Sequence, residues 1–286
     1  MTELTTLLAD VAMGESARWH DGRFWCSDWV AGEILSVDAD GHGSGDGPRT
    51  PDVEARSTSF PFCFDWTPDG QLVATSATGL ERLADDGTLA PHVDLTHISP
   101  LGWNEVAVDR QGNAYVNNVN FDMSGGFDFE VGSRSGLIAV VHPDGTSRQV
   151  ADTIAFPNGM AITPDGTTLI VAESFATKLT AFTIDPDGGL SGRRVWAAVD
   201  DGCDGISIDA EGAVWCATQT GCVRVLEGGE ITDRIPLDLF GFSCALGGPG
   251  GRTLAIVAAE WNGPENIGKG PRTGRVLTTE VNVPAP

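Results

Sequence analysis

The sequence predicts an all-β fold, a six-bladed β-propeller with four-stranded blades, built as a single domain over residues 1–286. Three observations predict it. A glycine turn recurs at Gly22, Gly70, Gly112, Gly166, Gly212 and Gly251, at intervals of roughly 40 to 55 residues, the length of one four-stranded blade. Each turn stands between two short runs of small apolar and polar residues. No long stretch carries the 3.6-residue apolar period of a helix.

The elements follow in order. The runs after the turns are FWCSD (24–28), LVATS (72–76), AYVNN (114–118), LIVAE (169–173), VWCAT (214–218) and LAIVAA (254–259). Second hairpins then close five units, as GEILSVDADG (32–41), GLERLADDGT (79–88), GLIAVVHPDGT (136–146), KLTAFTIDPDGG (178–189) and GCVRVLEGGE (221–230). An acidic residue beside glycine turns such strands locally, because glycine accepts positive φ. The C-terminal GRVLTTEVNVPAP (274–286) supplies the last strands, with the first residues of the chain expected to close the ring. The nearest approaches to helical patterning, residues 1–12 and 91–99, run for a few turns at most. With 37 glycines and 16 prolines dispersed along the chain, no linker separates a second domain.

Charge and composition exclude several classes of partner. Forty acidic residues against 17 basic give a formal charge of −23, which disfavours nucleic acid phosphates and anionic membranes. No run approaches the roughly 20 apolar residues of a membrane span, and the first residues lack a signal peptide's basic and apolar regions. The six cysteines form no C-x-x-C pair. Buried, reduced thiols in a cytoplasmic protein are therefore expected, as a monomer or weak homodimer. The five histidines make no H-x-H or H-x-x-x-H pattern, which argues against a histidine-ligated metal.

Counting back eight residues from the turn glycines reaches Phe62, Asn104, Asn158, Asp204 and Ser243; the first unit is one residue shorter and gives Glu15. In a propeller this register begins the innermost strand of every blade, so these residues would form a ring about the axis. Carboxylates and amides at the mouths of apolar strands cost several kcal/mol each without partners. A cation could satisfy Glu15, Asn158 and Asp204 together. Carboxylate and amide oxygens suit a hard cation, Ca²⁺ first, with Mg²⁺, Mn²⁺, Fe²⁺ and Zn²⁺ also able to enter. The competing reading has each residue capping its own turn, as Asn and Asp often do.

The same residues carry a resemblance. GESARWHDGRFWCSD (14–28), WNEVAVDRQGNAYV (103–116), FPNGMAITPDGTTLIVAES (156–174), DGISIDAEGAVWCA (204–217) and FSCALGGPGGRTLAIVAA (242–259) resemble the successive signatures of the SMP-30/gluconolactonase/LRE family. The likeness runs in order from about Leu8 to the C-terminus. It implies a six-bladed propeller with one catalytic divalent metal held by Glu15, Asn158 and Asp204, a substrate contact at Asn104, and hydrolysis of a lactone, often a sugar lactone. Asp204 is assigned proton transfer.

One departure bears on the substrate. Many sugar-lactone members carry Arg-x-Asn-Asp where this chain has GWNE, with Gly102 for arginine and Glu105 for aspartate. Losing a multidentate cation changes which oxygen-rich substrate can be held, so plain gluconolactone is not the expected substrate. Glu105 and Asp122 are further candidate substrate contacts, and Trp103 offers either an aromatic surface to substrate or packing to the core. The long Gly-rich stretch 122–136 is expected to cover the channel. Glu173 is expected to bond turn backbone, while Trp261 and Asn262 either shape the pocket or pack against it. Two other functions fit the residues: a non-catalytic calcium-binding or scaffold propeller, and a phosphotriesterase-like hydrolase with Asn104 as a fourth oxygen ligand.

Overall fold

The computed structural model describes residues 3–38, 47–123 and 126–286. After β1 (Thr5–Val11), the chain runs through five four-stranded antiparallel sheets in succession. The first is β2 (Gly14–His20), β3 (Arg23–Asp28), β4 (Glu33–Asp38) and β5 (Asp52–Arg56). Next come β6 (Phe64–Trp66), β7 (Leu72–Thr75), β8 (Gly79–Leu83) and β9 (Leu89–Asp94), then β10 (Val106–Val108) and β11 (Ala114–Asn118). After a short helix, α1 (Phe129–Ser135), that sheet is completed by β12 (Gly136–Val141) and β13 (Ser147–Ile154). The fourth holds β14 (Pro157–Ile162), β15 (Thr168–Glu173), β16 (Lys178–Ile184) and β17 (Leu190–Ala198). The fifth holds β18 (Cys203–Ile208), β19 (Val214–Thr218), β20 (Gly221–Val225) and β21 (Ile231–Pro236).

The sixth sheet contains β22 (Phe240–Gly247), β23 (Thr253–Ala259) and β24 (Gly274–Glu280), and β1 is its fourth strand. Thr5 faces Thr278, Thr6 faces Leu277 and Leu8 faces Val276, so the chain's beginning and end share one sheet. These are the blades of a six-bladed β-propeller.

The first turn of each blade is made as its composition requires. All six turn glycines have positive φ, from 70° at Gly251 to 85° at Gly112, where a Cβ would be strained. At Gly166 the amide donates to Thr163 O at 2.8 Å. The Asp165 carboxylate accepts from Thr163 Oγ1 at 2.7 Å and Thr167 N at 3.1 Å. Short side chains thus close the turn without help from the rest of the fold.

The contacts divide the chain into two compact units, Met1–Arg56 with Asp204–Pro286, and Ser57–Cys203. In the first unit, apolar side chains of β3 and β4 meet those of β1, β22, β23 and β24 around Phe24, Leu35, Val257 and Val276. A second cluster joins the sheet of β18–β21 to that of β22–β24 through Trp215, Ile235, Leu246 and Ile256. In the second unit, one cluster around Leu80, Leu95, Trp103 and Val116 joins the sheets of β6–β9 and β10–β13. Another, around Tyr115, Ile138, Leu169 and Phe182, joins the sheets of β10–β13 and β14–β17. Within each unit the core is therefore the layer between neighbouring sheets, where each fully buried aliphatic or Phe side chain contributes roughly 1.5–3 kcal/mol.

The weakly helical stretch 1–12 holds a strand, and the stretch 91–99 begins with the end of one. Residues 5–11 pair with β24, and residues 89–94 pair with β8; an unpaired sheet edge beside each outweighs a few turns of marginal periodicity. The α1 helix went unforeseen because seven residues that include Gly132 carry no readable period. Its start is signalled by Asp128, whose Oδ1 accepts from Glu130 N and Val131 N at 3.0 Å each. The expected hairpin turn at 38–41 falls mostly on residues 39–46, and part of the Gly-rich stretch on residues 124–125; both lie outside the described residues.

Candidate functional site

In the unit of Met1–Arg56 and Asp204–Pro286, Glu15 and Asp204 are each the second residue of their strand, β2 and β18. Glu15 is buried and stands opposite Ser27 of β3. Its successor Ser16 has φ 51°, and the β2–β3 register shifts between Glu15 and Arg18. A bulge therefore re-aims the strand at this residue. Asp204 is half-buried. Beside it, Gly205 lies so close to β22 that a Cβ would come within 2.6 Å of Ser243 Oγ and 2.7 Å of Ser243 Cα. Ser243 Oγ in turn accepts from Ala17 N of β2 at 3.0 Å. Glycine at 205 and serine at 243 thus bring the starts of β18, β22 and β2, the strands that carry Asp204 and Glu15, side by side.

In the unit Ser57–Cys203, Asn104 lies two residues ahead of β10 and Asn158 is the second residue of β14. Here too the preceding backbone is unusual. Phe156 has φ 57°, and the β14–β15 register shifts between Pro157 and Met160. Asn117 of β11, wholly buried, ties the two starts together. Its Nδ2 donates to Asn158 O at 2.7 Å, and its Oδ1 accepts from Glu105 N at 3.1 Å. Thr75 Oγ1 donates to Asn104 O at 2.8 Å and accepts from Cys63 N at 2.8 Å. Ser174 Oγ donates to Cys203 O at 2.7 Å.

Both candidate amides are oriented by their nitrogen ends. Asn104 Nδ2 donates to Pro157 O and Asn158 Nδ2 to Ser174 Oγ, each at 3.4 Å. Among the described residues nothing donates to either Oδ1. Two amide oxygens are therefore held on fixed backbone with their acceptor capacity unused, as a cation ligand or a substrate contact requires. No group of three or more His, Cys, Asp and Glu side chains among the described residues has the spacing to hold a metal. A metal bound through Glu15 and Asp204 would thus depend on amide oxygen as well. That oxygen-only donor set fits a hard divalent cation.

The remaining candidates separate by environment. Glu105 is buried ahead of β10, with its own Oε1 accepting from Val106 N at 2.9 Å. Trp103 is 0% exposed within the cluster of Leu80, Leu95 and Val116; of the two roles open to it, packing is the one this environment matches. Asp122 is exposed on the connection after β11. Glu173 accepts from Ala155 N at 2.8 Å and Thr180 Oγ1 at 2.5 Å, and pairs with Arg193 and Lys178 at 3.2 and 3.4 Å. Burial opposes its ionisation, but those hydrogen bonds and charges outweigh burial and hold its carboxyl below the ordinary value. It binds backbone, as expected.

All six cysteines are buried, and none forms a disulfide. Burial pushes the Cys26 and Cys222 thiols up, so these two have no thiolate character. Thr75, Asn117 and Ser174, which hold the candidate ligands in place, were not singled out from sequence. An Asn pair ending an otherwise apolar strand, AYVNN, was the available signal, since a buried amide needs partners at fixed positions.

A family model described as the SMP-30/gluconolactonase/LRE-like region matches residues 13–260. Among solved structures, a gluconolactonase from Xanthomonas campestris superposes with a TM-score of 0.74 at 23% identity, over 100% of this chain and 90% of that one. The luciferin-regenerating enzyme gives 0.82 at 17% identity, over 100% and 97%. A calcium-binding protein, regucalcin of Agrobacterium tumefaciens, gives 0.77 at 20% identity, over 100% and 96%. At these identities the likeness establishes the fold. No helix among the described residues is long and apolar enough to cross a membrane.

Proposed function

We propose, from the premise that this chain belongs to the SMP-30/gluconolactonase/LRE-like family, that it is a divalent-metal-dependent hydrolase opening a lactone. The observation that carries this reading is one strand-entry register. It holds two carboxylates, Glu15 and Asp204, and two amides, Asn104 and Asn158, whose Oδ1 atoms accept no hydrogen bond among the described residues. The names of the gluconolactonase and regucalcin relatives support lactone chemistry and a calcium-type ion respectively.

Glu15, Asn158 and Asp204 would hold the metal, Ca²⁺ first. A bound divalent cation supplies Lewis-acid polarisation of the ester carbonyl and charge stabilisation of the developing oxyanion. The protein's own groups do the rest. Asp204 takes a proton from the attacking water and returns it to the ring oxygen as the C–O bond breaks, so its role rests on position more than basicity. Asn104, with Nδ2 committed to Pro157 O, has Oδ1 to accept from a substrate hydroxyl. The product is a hydroxy acid, which ionises near neutral pH and releases one proton. We place the protein in the cytoplasm as a monomer or weak homodimer acting on a small molecule.

A pH-indicator assay over aldonolactones and alkyl-substituted γ- and δ-lactones tests this, using metal-stripped protein and single-ion add-back. Metal-restored turnover of any member is expected, and Asp204→Asn should abolish it with the ion still bound. No turnover with any ion, on protein carrying one stoichiometrically, would sink the hydrolase reading and leave a calcium-binding propeller.

A further inference from the structure

A cavity of about 300 Å³ opens within the unit of Met1–Arg56 and Asp204–Pro286. Its apolar side is made by Met13, Phe242, Trp261 and Ile267, with the Phe242 and Trp261 rings edge to face at 5.6 Å. Met13 stands two residues before Glu15, and Phe242 immediately precedes Ser243, the serine that gathers β18, β22 and β2. The cavity is therefore continuous along the chain with the carboxylate half of the candidate site.

The lining also carries cations. Lys269 and Arg272 both line it and both are exposed. Among the described residues neither forms an ion pair, and the Arg272 side chain donates only to Asp10 O, at 3.4 Å. Glu260 is the lining's one carboxylate and is likewise outside any ion pair. The cavity thus carries an excess of positive charge in a chain whose formal charge is −23.

An apolar wall and two unneutralised cations in one cavity match one kind of ligand. A polyol would leave the aromatic wall without a counterpart, and a plain hydrocarbon would leave the cations without one. Resting on the lactone-hydrolase reading, we propose that this cavity binds the part of the substrate remote from the ring, a hydrocarbon or aryl segment ending in a carboxylate. The apolar wall takes the segment, and Lys269 and Arg272 take its anion.

Binding alone tests this, apart from turnover. Isothermal titration calorimetry compares 4-phenylbutyrate with its uncharged amide, 4-phenylbutyramide, on the intact protein. Wild type is expected to bind the acid about tenfold more tightly than the amide, the scale of two exposed charge contacts. In Lys269→Gln/Arg272→Gln that ratio should fall to about one. Because both side chains are exposed, the variant should fold; independently, raising salt should erode the ratio in wild type. Equal binding of acid and amide, no binding of either, or a ratio that survives in the double variant overturns the inference. If the ratio behaves as expected while every lactone is inert, the cavity stands and only the hydrolase reading falls. Lactone turnover with equal acid and amide binding gives the reverse.

Discussion

Replacing Asn117 by alanine should damage fold and site together, and the structure sets the scale. The side chain is wholly buried. It makes two hydrogen bonds to backbone, Nδ2 to Asn158 O at 2.7 Å and Oδ1 from Glu105 N at 3.1 Å. Truncation leaves one carbonyl and one N–H without these partners, each costing about 1–3 kcal/mol, for a total of roughly 2–6 kcal/mol. Asn117→Asp sharpens the test. It keeps the volume and the acceptor for Glu105 N but sets a carboxylate oxygen against the Asn158 carbonyl, so only one of the two bonds survives. Urea unfolding followed by circular dichroism gives the stability change. With an active lactone in hand, kcat/KM should fall in both variants, because the Asn158 carbonyl loses the amide donor that fixes it. A stability loss under about 0.5 kcal/mol in Asn117→Ala, the range of an ordinary surface substitution, would refute the positioning role.

Glu173 gives a pH dependence of known sign. Its folded carboxyl is held below the ordinary value of 4.5. The stability it contributes is complete above that value and lost as pH falls through the folded pKa. Glu173→Gln should cost about 1–3 kcal/mol near neutrality and flatten the acid limb of a stability–pH profile; an unchanged limb would remove Glu173 from that role. Gly205→Ala should cost about 1–3 kcal/mol by overpacking, since the new methyl meets Ser243 Cα at 2.7 Å; an unshifted urea midpoint would mean β18 and β22 can separate freely. Gly102→Arg should be nearly neutral in stability, because a Cβ there meets only Ala77 Cα at 3.6 Å. It should raise kcat/KM for aldonolactones relative to alkyl lactones, and an unchanged ratio would detach Gly102 from specificity.

Much of the fold could be read locally. The turn at Gly166 is closed by Thr163, Asp165 and Thr167, all within five residues. Such turns repeat wherever their short motif does, so blade number and strand order follow from spacing. The register of Asn104, Asn158 and Asp204 is legible for the same reason, each standing eight residues before its turn glycine, and Glu15 follows once the first unit is read as one residue shorter. Closure of the last sheet by β1 was also foreseeable, since residues 274–286 leave the last blade short of one strand.

What stands beside each of those residues was decided by tertiary structure. Asn117 is 41 residues from the Asn158 carbonyl it holds, and Ser243 is 226 residues from Ala17. No local pattern encodes such pairs, because they form only when separate blades pack. Trp103 shows the same limit: beside Asn104 in sequence it could have faced a substrate, and only the packing of Leu80, Leu95 and Val116 around it makes it core. The cavity is a further case, drawing its wall from Met13 at one end of the chain and Phe242, Trp261 and Ile267 near the other. Sequence determines the repeating, short-range part of this protein, where a few neighbouring residues suffice to fix a conformation. Contacts between distant segments supply the rest, because burial and hydrogen-bond satisfaction are properties of the packed chain.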